Sequence, residues 1–228
     1  MPYLTAAPLL KGDGWKEVRE FLDTDVTSWA KGGKPRGDAY VVATAFALAF
    51  NDAQQGNQLT DTAKAALDKM WDVQAKTGAW NWLKCDWPPL EHDDYYGATL
   101  AALAVGYAPG EYANTEKAKA GLTKLKKYFA DTPPPDLHHT AMLLWASTKL
   151  PDLMTAEAKA KAIKDLKAKQ HKDGGWSLPS LGDYKRRDEK KTPNDPNAAS
   201  DGYGTGFVAY VLMQAGEKAT GEGRWAGR

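Results

Sequence analysis

Apolar positions along this chain fall into two alternating patterns. Segments 38–54, 94–107, 137–149 and 202–215 carry Ala, Gly and aromatic residues with almost no charge, as in Ala39-Tyr40-Val41-Val42-Ala43-Thr44-Ala45-Phe46-Ala47-Leu48. A helix apolar on every side is a buried helix, so these four are read as inner helices. Segments 60–75, 115–130 and 155–170 place Ala63, Leu67, Met70 and Trp71, or Leu122, Leu125 and Phe129, on one face and Lys on the others. That spacing predicts outer helices with one wet side. Alternating β-branched runs are absent, so no strand is expected. The expectation is an all-α chain of seven or eight helices, inner and outer in turn.

The linkers repeat as well. Gln74-Ala75-Lys76-Thr77-Gly78-Ala79-Trp80 and Gln170-His171-Lys172-Asp173-Gly174-Gly175-Trp176 both set Gln six residues before Trp. Gly223-Arg224-Trp225 restates the end of the unit, and Asp13-Gly14-Trp15 reads as a weaker copy. In this unit Gln closes an outer helix, Gly permits a tight exit, and Trp packs a large ring under the turn. Each inner helix opens on an acid: Asp38-Ala39-Tyr40, Asp94-Tyr95-Tyr96, Asp136-Leu137-His138 and Asp201-Gly202-Tyr203. If the inner helices run parallel, their N-termini and these carboxylates gather at one rim, where the helix dipoles favour them.

Length and charge narrow the class. The 228 residues, with 30 Lys+Arg against 29 Asp+Glu and 43% hydrophobic content, suit one folded domain over 1–228, with the repeats spanning about 38–215. A net charge of +1 leaves no basic stripe for a phosphate backbone, so nucleic acid is not an expected partner. Cys85 stands alone, which excludes an internal disulfide and a Cys-x-x-Cys metal pair. No export signal is expected at the start, and the longest apolar run, Ala39 to Phe50, is too short to span a bilayer. The default expectation is therefore a cytoplasmic or membrane-peripheral location.

The repeated Gln-to-Gly-x-Trp unit followed by an inner helix resembles the QW motif of the squalene-hopene and oxidosqualene cyclases, whose α/α toroid is shared with protein prenyltransferases. The resemblance implies an α/α toroid-like, incomplete array of helical hairpins. The nearest local match is Gly78 to Ala101, where Trp80, Trp82 and Trp87-Pro88-Pro89 lead to Glu91-His92-Asp93-Asp94 and an Ala-rich helix. In those cyclases this place holds Asp-x-Asp-Asp-Thr-Ala, whose middle Asp protonates a terminal alkene or epoxide. The resemblance thus puts Asp93 on the proton donor and Asp94 on its follower. Glu91 stands for the first Asp, and Tyr95 and Tyr96 replace Thr-Ala.

The implied activity is class II terpene cyclisation, an isomerisation begun by protonation, with Asp93 helped by Asp94, Glu91 and His92 as catalytic groups. Crowded carboxylates suit it because they cannot all ionise together. A carbocation also wants aromatic faces and no water. Trp80, Trp82, Tyr95, Tyr96, His138, Trp145, Asp201, Tyr203 and Phe207 are the expected substrate-lining residues. The implied partner is a hydrophobic isoprenoid-like molecule, with peripheral membrane contact and a second domain or subunit completing the toroid as further partner readings. That reaction needs no metal or redox cofactor.

Other readings stay open beside this one. Asp93 or Asp94 as a helix cap, with the aromatics as core, gives a non-catalytic toroid that binds a lipid, a glycan or a protein. A polysaccharide lyase or hydrolase is a third reading, since fold does not fix function. Asp136-Leu137-His138-His139-Thr140 is similar to the zinc-binding His segment of the prenyltransferases, but the matching Asp-x-Cys is missing, and Cys85, Asp86, His92 and His138 match no familiar zinc spacing. Gly202-Tyr203-Gly204 follows no strand and reads as close helix packing. Segment 177–199, of mixed charge, is expected to be a mobile, solvated loop able to cover the acidic rim.

Overall fold

The predicted segments form helices on their apolar spacing, and Thr60, Asp136, Thr155 and Asp201 add side-chain caps at four of the starts. The structure, a computed structural model, describes residues 13–84, 89–184 and 194–219. Among them are eight α-helices and no strand: α1 (Gly14–Ala30), α2 (Asp38–Gln55), α3 (Asp61–Asp72), α4 (Asp94–Tyr107), α5 (Glu116–Asp131), α6 (Leu137–Lys149), α7 (Ala156–Ala168) and α8 (Gly202–Gln214). The chain is all-α, as its pattern predicts. Seven helices coincide with predicted segments, and α1 is the addition. Its first turn holds Trp15, so Asp13-Gly14-Trp15 is a helix start rather than a linker copy. The other copy, Gly223-Arg224-Trp225, lies outside the described residues. No described helix is long and apolar enough to cross a membrane.

Contacts among the described residues form two compact units, one within 13–82 and 97–131 and the other within 83–96 and 132–219. In the first unit α3 packs on α1, α2 and α5. Residues Val41 to Asp52 of α2 are buried around nearly the whole helix, as an inner helix requires. Arg19 of α1 reaches into this core, donating to Asp52 Oδ1 at 2.5 Å, Asn51 Oδ1 at 2.9 Å and Thr60 Oγ1 at 2.7 Å. Thr60 caps α3, and its backbone N–H and hydroxyl both donate to Asp52 Oδ2. One buried carboxylate thereby ties the end of an inner helix to the start of an outer one.

In the second unit α6 packs on α7 and α8 around Trp176, Leu166 and Val208. Here α8 departs from expectation. It is as apolar as an inner helix, yet Gly202, Gly206 and Met213 are exposed, and only Gly204, Val208, Val211 and Leu212 are fully buried. The predicted loop 177–199 is likewise not solvated at its start. Ser177, Leu178, Ser180 and Leu181 are buried in a 3-10 turn, and residues 185–193 lie outside the described residues.

The two Gln-to-Trp linkers fold alike. Gln74 Nε2 donates to Gly78 O at 2.9 Å, and Gln170 Nε2 donates to Gly174 O at 2.7 Å. Trp80 Nε1 donates to Met70 O at 2.8 Å, and Trp176 Nε1 donates to Leu166 O at 2.7 Å, each closing on the outer helix just left. Gly78 and Gly174 take positive φ of 96° and 86°, which is why the fifth residue of each unit is glycine. Both Trp rings are at most 1% exposed, and burying a side chain of this size contributes roughly 3 kcal/mol. The repeated motif is thus a structural staple in both units.

Candidate functional site

The second unit gathers acids and imidazoles at the starts of α4 and α6. Asp136 caps α6, accepting from His139 N at 2.9 Å, and the same Oδ1 lies 2.7 Å from His139 Nδ1. Cap and third helical residue share one side of the first turn, so this Asp-x-x-His pairing follows from helix geometry. On its other edge His139 Nε2 stands 3.2 Å from Asp93 Oδ1, an ion-pair distance without hydrogen-bond alignment. Asp93 in turn caps α4, accepting from Tyr96 N at 2.8 Å. The result is a row, Asp93–His139–Asp136, whose middle member is 1% exposed while Asp93 keeps 27% of its side chain open.

Charge in this row is set by its own members. Burial disfavours a charged His139, but the Asp136 and Asp93 carboxylates outweigh it and push the imidazole up to about 9. Burial would raise Asp93, yet His139 and the Tyr96 N–H prevail and hold its carboxyl below the usual range. At neutral pH the row is therefore an imidazolium between two carboxylates.

His138, one residue earlier and turned about 100° around the helix, sits in a different environment. Its ring stacks on Phe207 at 4.5 Å, on Tyr203 at 6.0 Å and on Tyr96 at 6.3 Å. Burial among these rings, together with the charge on His139, drives it down to about 3, so it is neutral. Its Nε2 is 2.9 Å from Tyr203 Oη, which lies 3.5 Å from Glu91 Oε1. Glu91 is raised by burial, against the hydroxyls of Tyr96 and Tyr203, which lower it. His138 Nδ1 is buried without a partner.

Two backbone features hold the acids in place. Leu90, fully buried, takes a left-handed φ of 73° immediately before Glu91, a conformation costing on the order of 1 kcal/mol for a residue with a Cβ. Gly182 lies against Asp136, and a Cβ there would fall 2.6 Å from Asp136 Oδ2.

Among the predicted site residues, the structure brings Glu91, Asp93, Tyr95, Tyr96, His138, Tyr203 and Phe207 around the His138–His139 pair. His92 joins them, its ring 6.4 Å from that of His139. Asp94 does not. It pairs with Lys84 at 2.5 Å on the surface, and the helix-capping acid is its neighbour. Asp201 caps α8 through Gly204 N and also accepts from Leu178 N, both at 2.6 Å, so backbone amides occupy both its oxygens. Trp145 packs beside the Trp176 core and edge-on to Tyr210. Trp80 and Trp82 belong to the first unit, where Trp82 lies under Gly97. Cys85 and Asp86 of the considered zinc set lie outside the described residues.

The sequence shows Asp136 as a helix-opening acid and His139 in a zinc-like segment, but puts neither among the catalytic or substrate-lining residues. The available signal was the Asp-x-x-His spacing at a helix start. Asp136, His138 and His139 also form a group with metal-ligand chemistry, one donor atom of each lying within 4.8 Å of the others. Comparison with family models, curated proteins and solved structures finds no match for this chain.

Proposed function

We propose that this chain is a squalene-cyclase-like domain of the α/α-toroid type, in which Asp93 passes a proton to the terminal alkene or epoxide of an isoprenoid. The observation carrying this reading is the row in which a partly open Asp93 is backed by a buried imidazolium, itself held by Asp136. In the resting row Asp93 is a carboxylate and the proton sits on His139, so Asp93 donates only after taking that proton from His139 Nε2. The proton thus passes from His139 through Asp93 to the alkene, and the proton lost from the product cation returns to His139. Substrate and product are then isomers. Tyr96, Tyr203 and Phe207 supply ring faces for the cation beside this row.

The test is incubation with squalene and shorter polyprenols, with products read by mass spectrometry. The expected outcome is an isomeric product from the wild type and at least about a hundredfold less from Asp93→Asn, the scale of a lost general acid. Equal absence of product from both would remove the enzyme reading. A second reading then stands, the non-catalytic binding module, and one observation favours it: Asp93, Asp136 and Asp201 each bond the backbone amide three residues on, the work of helix caps.

A further inference from the structure

Two adjacent imidazoles on α6 each have one hydrogen-bonded ring nitrogen and one without a hydrogen bond. His139 Nδ1 lies 2.7 Å from Asp136 Oδ1, and its Nε2 stands 3.2 Å from Asp93 Oδ1 without hydrogen-bond alignment. His138 turns Nε2 to the Tyr203 hydroxyl, which leads to Glu91, and its Nδ1 is left buried without a partner in a residue 0% exposed. For His138, a hydroxyl fixing one ring nitrogen while the other stays open is the outer-sphere support that metal-binding histidines receive. An unsatisfied buried imidazole nitrogen is also costly, and a cation removes that cost.

We propose that Asp136, His138 and His139 bind one divalent transition-metal ion of the zinc class. Two imidazole nitrogens and a carboxylate oxygen form a three-ligand set that suits Zn2+ and leaves a fourth position for water. Tetrahedral bonds of ~2.0–2.1 Å set neighbouring donors about 3.3 Å apart. Asp136 Oδ1 and His139 Nδ1, now 2.7 Å apart, would open by about 0.6 Å, and the widest pair, at most 4.8 Å, would close by up to about 1.5 Å. Rotation of the Asp136 and His138 side chains supplies such shifts. The metal takes the place of the proton on His139 Nδ1, which leaves to the buffer, while the Nε2–H still faces Asp93. Either cation thus puts positive charge behind Asp93, and the metal site stands whether or not the proposed activity does.

The test uses the full chain stripped with a chelator. Zn2+ is titrated against a chelating dye, Co2+ is followed by visible absorption, and thermal unfolding is read with and without metal. The expected result is one equivalent bound, a raised Tm and an intense tetrahedral Co2+ band. His138→Gln and Asp136→Asn should each weaken binding at least about tenfold, with helical circular dichroism checking their folding. His171→Gln, in the linker, should leave binding unchanged. A weak six-coordinate Co2+ spectrum from the wild type overturns the proposal without any variant, as does loss of binding in His171→Gln.

Discussion

Neighbouring His138 and His139 should give the folding stability of this chain opposite slopes on either side of pH 6.5. His139 is pushed up to about 9 in the folded state from an ordinary 6.5. A raised imidazole contributes in full below 6.5 and loses its contribution as pH rises through 9. The whole effect is at most about 3 kcal/mol, of which about 1.5 kcal/mol goes between pH 6.5 and 8. His138 is driven down to about 3. Its unfolded form takes a proton that the buried ring refuses, so stability falls as pH drops from 6.5 toward 3, by about 1.5 kcal/mol at pH 5. Urea unfolding with chelator present, at pH 5, 6.5, 8 and 9.5, should therefore show a maximum near 6.5. His139→Gln should flatten the alkaline side and His138→Gln should lessen the acid side relative to wild type. A wild-type stability level from 6.5 to 9.5, or an alkaline loss that survives in His139→Gln, would refute an imidazolium held between Asp93 and Asp136.

Three further outcomes follow from the same geometry. Gly182→Ala sets a Cβ against Asp136 Oδ2, and the alkaline limb of the urea profile should shrink with it; an unchanged limb would mean Asp136 is not what holds the charge. Arg19→Ala leaves Asp52, 2% exposed at its side chain, without its cation and should cost about 3–5 kcal/mol, whereas Lys64→Ala removes only the surface partner of Asp68 and should cost less than about 1 kcal/mol. Equal losses in denaturant melts would refute the ranking. Gly78→Ala combines a positive φ of 96° with a Cβ driven into the Lys124 carbonyl and should lower stability by about 2 kcal/mol or more, read as a fall in Tm.

The helices were legible in proportion to how strongly their sequence excludes alternatives. An all-apolar run such as Ala39–Phe50 allows only a buried helix, and the stripe Ala63, Leu67, Met70, Trp71 only a half-buried one. Helix α1 escaped because its stripe is thin. Leu22 and Val26 alone are buried, Phe21 is 56% exposed, and much of its hold on the fold is the Arg19 network, which has no periodic signature. The exposed side of α8 was illegible for the opposite reason: Gly206 and Met213 look like core residues, and composition does not say whether a neighbour covers them.

The site was legible as a set of helix-opening acids and illegible as a set of partners. Reading Asp94-Tyr95-Tyr96 beside Asp136-Leu137-His138 puts Asp94 in the role of cap, yet Asp93 caps α4 and Asp94 becomes its exposed first residue. One residue of register thus separates a surface ion pair from the centre of the cluster. The same step separates His138 from His139. Two like residues about 100° apart around a helix meet different neighbours, one a wall of aromatic rings, the other two carboxylates. All of those neighbours but Asp136 come from segments more than forty residues away, Asp93 on one side and Tyr203 and Phe207 on the other. Sequence spacing carries the helix phase but not which distant segment meets each face. The opposite charge states of this His pair are therefore a property of the fold, and the pH profile is the measurement that reaches it.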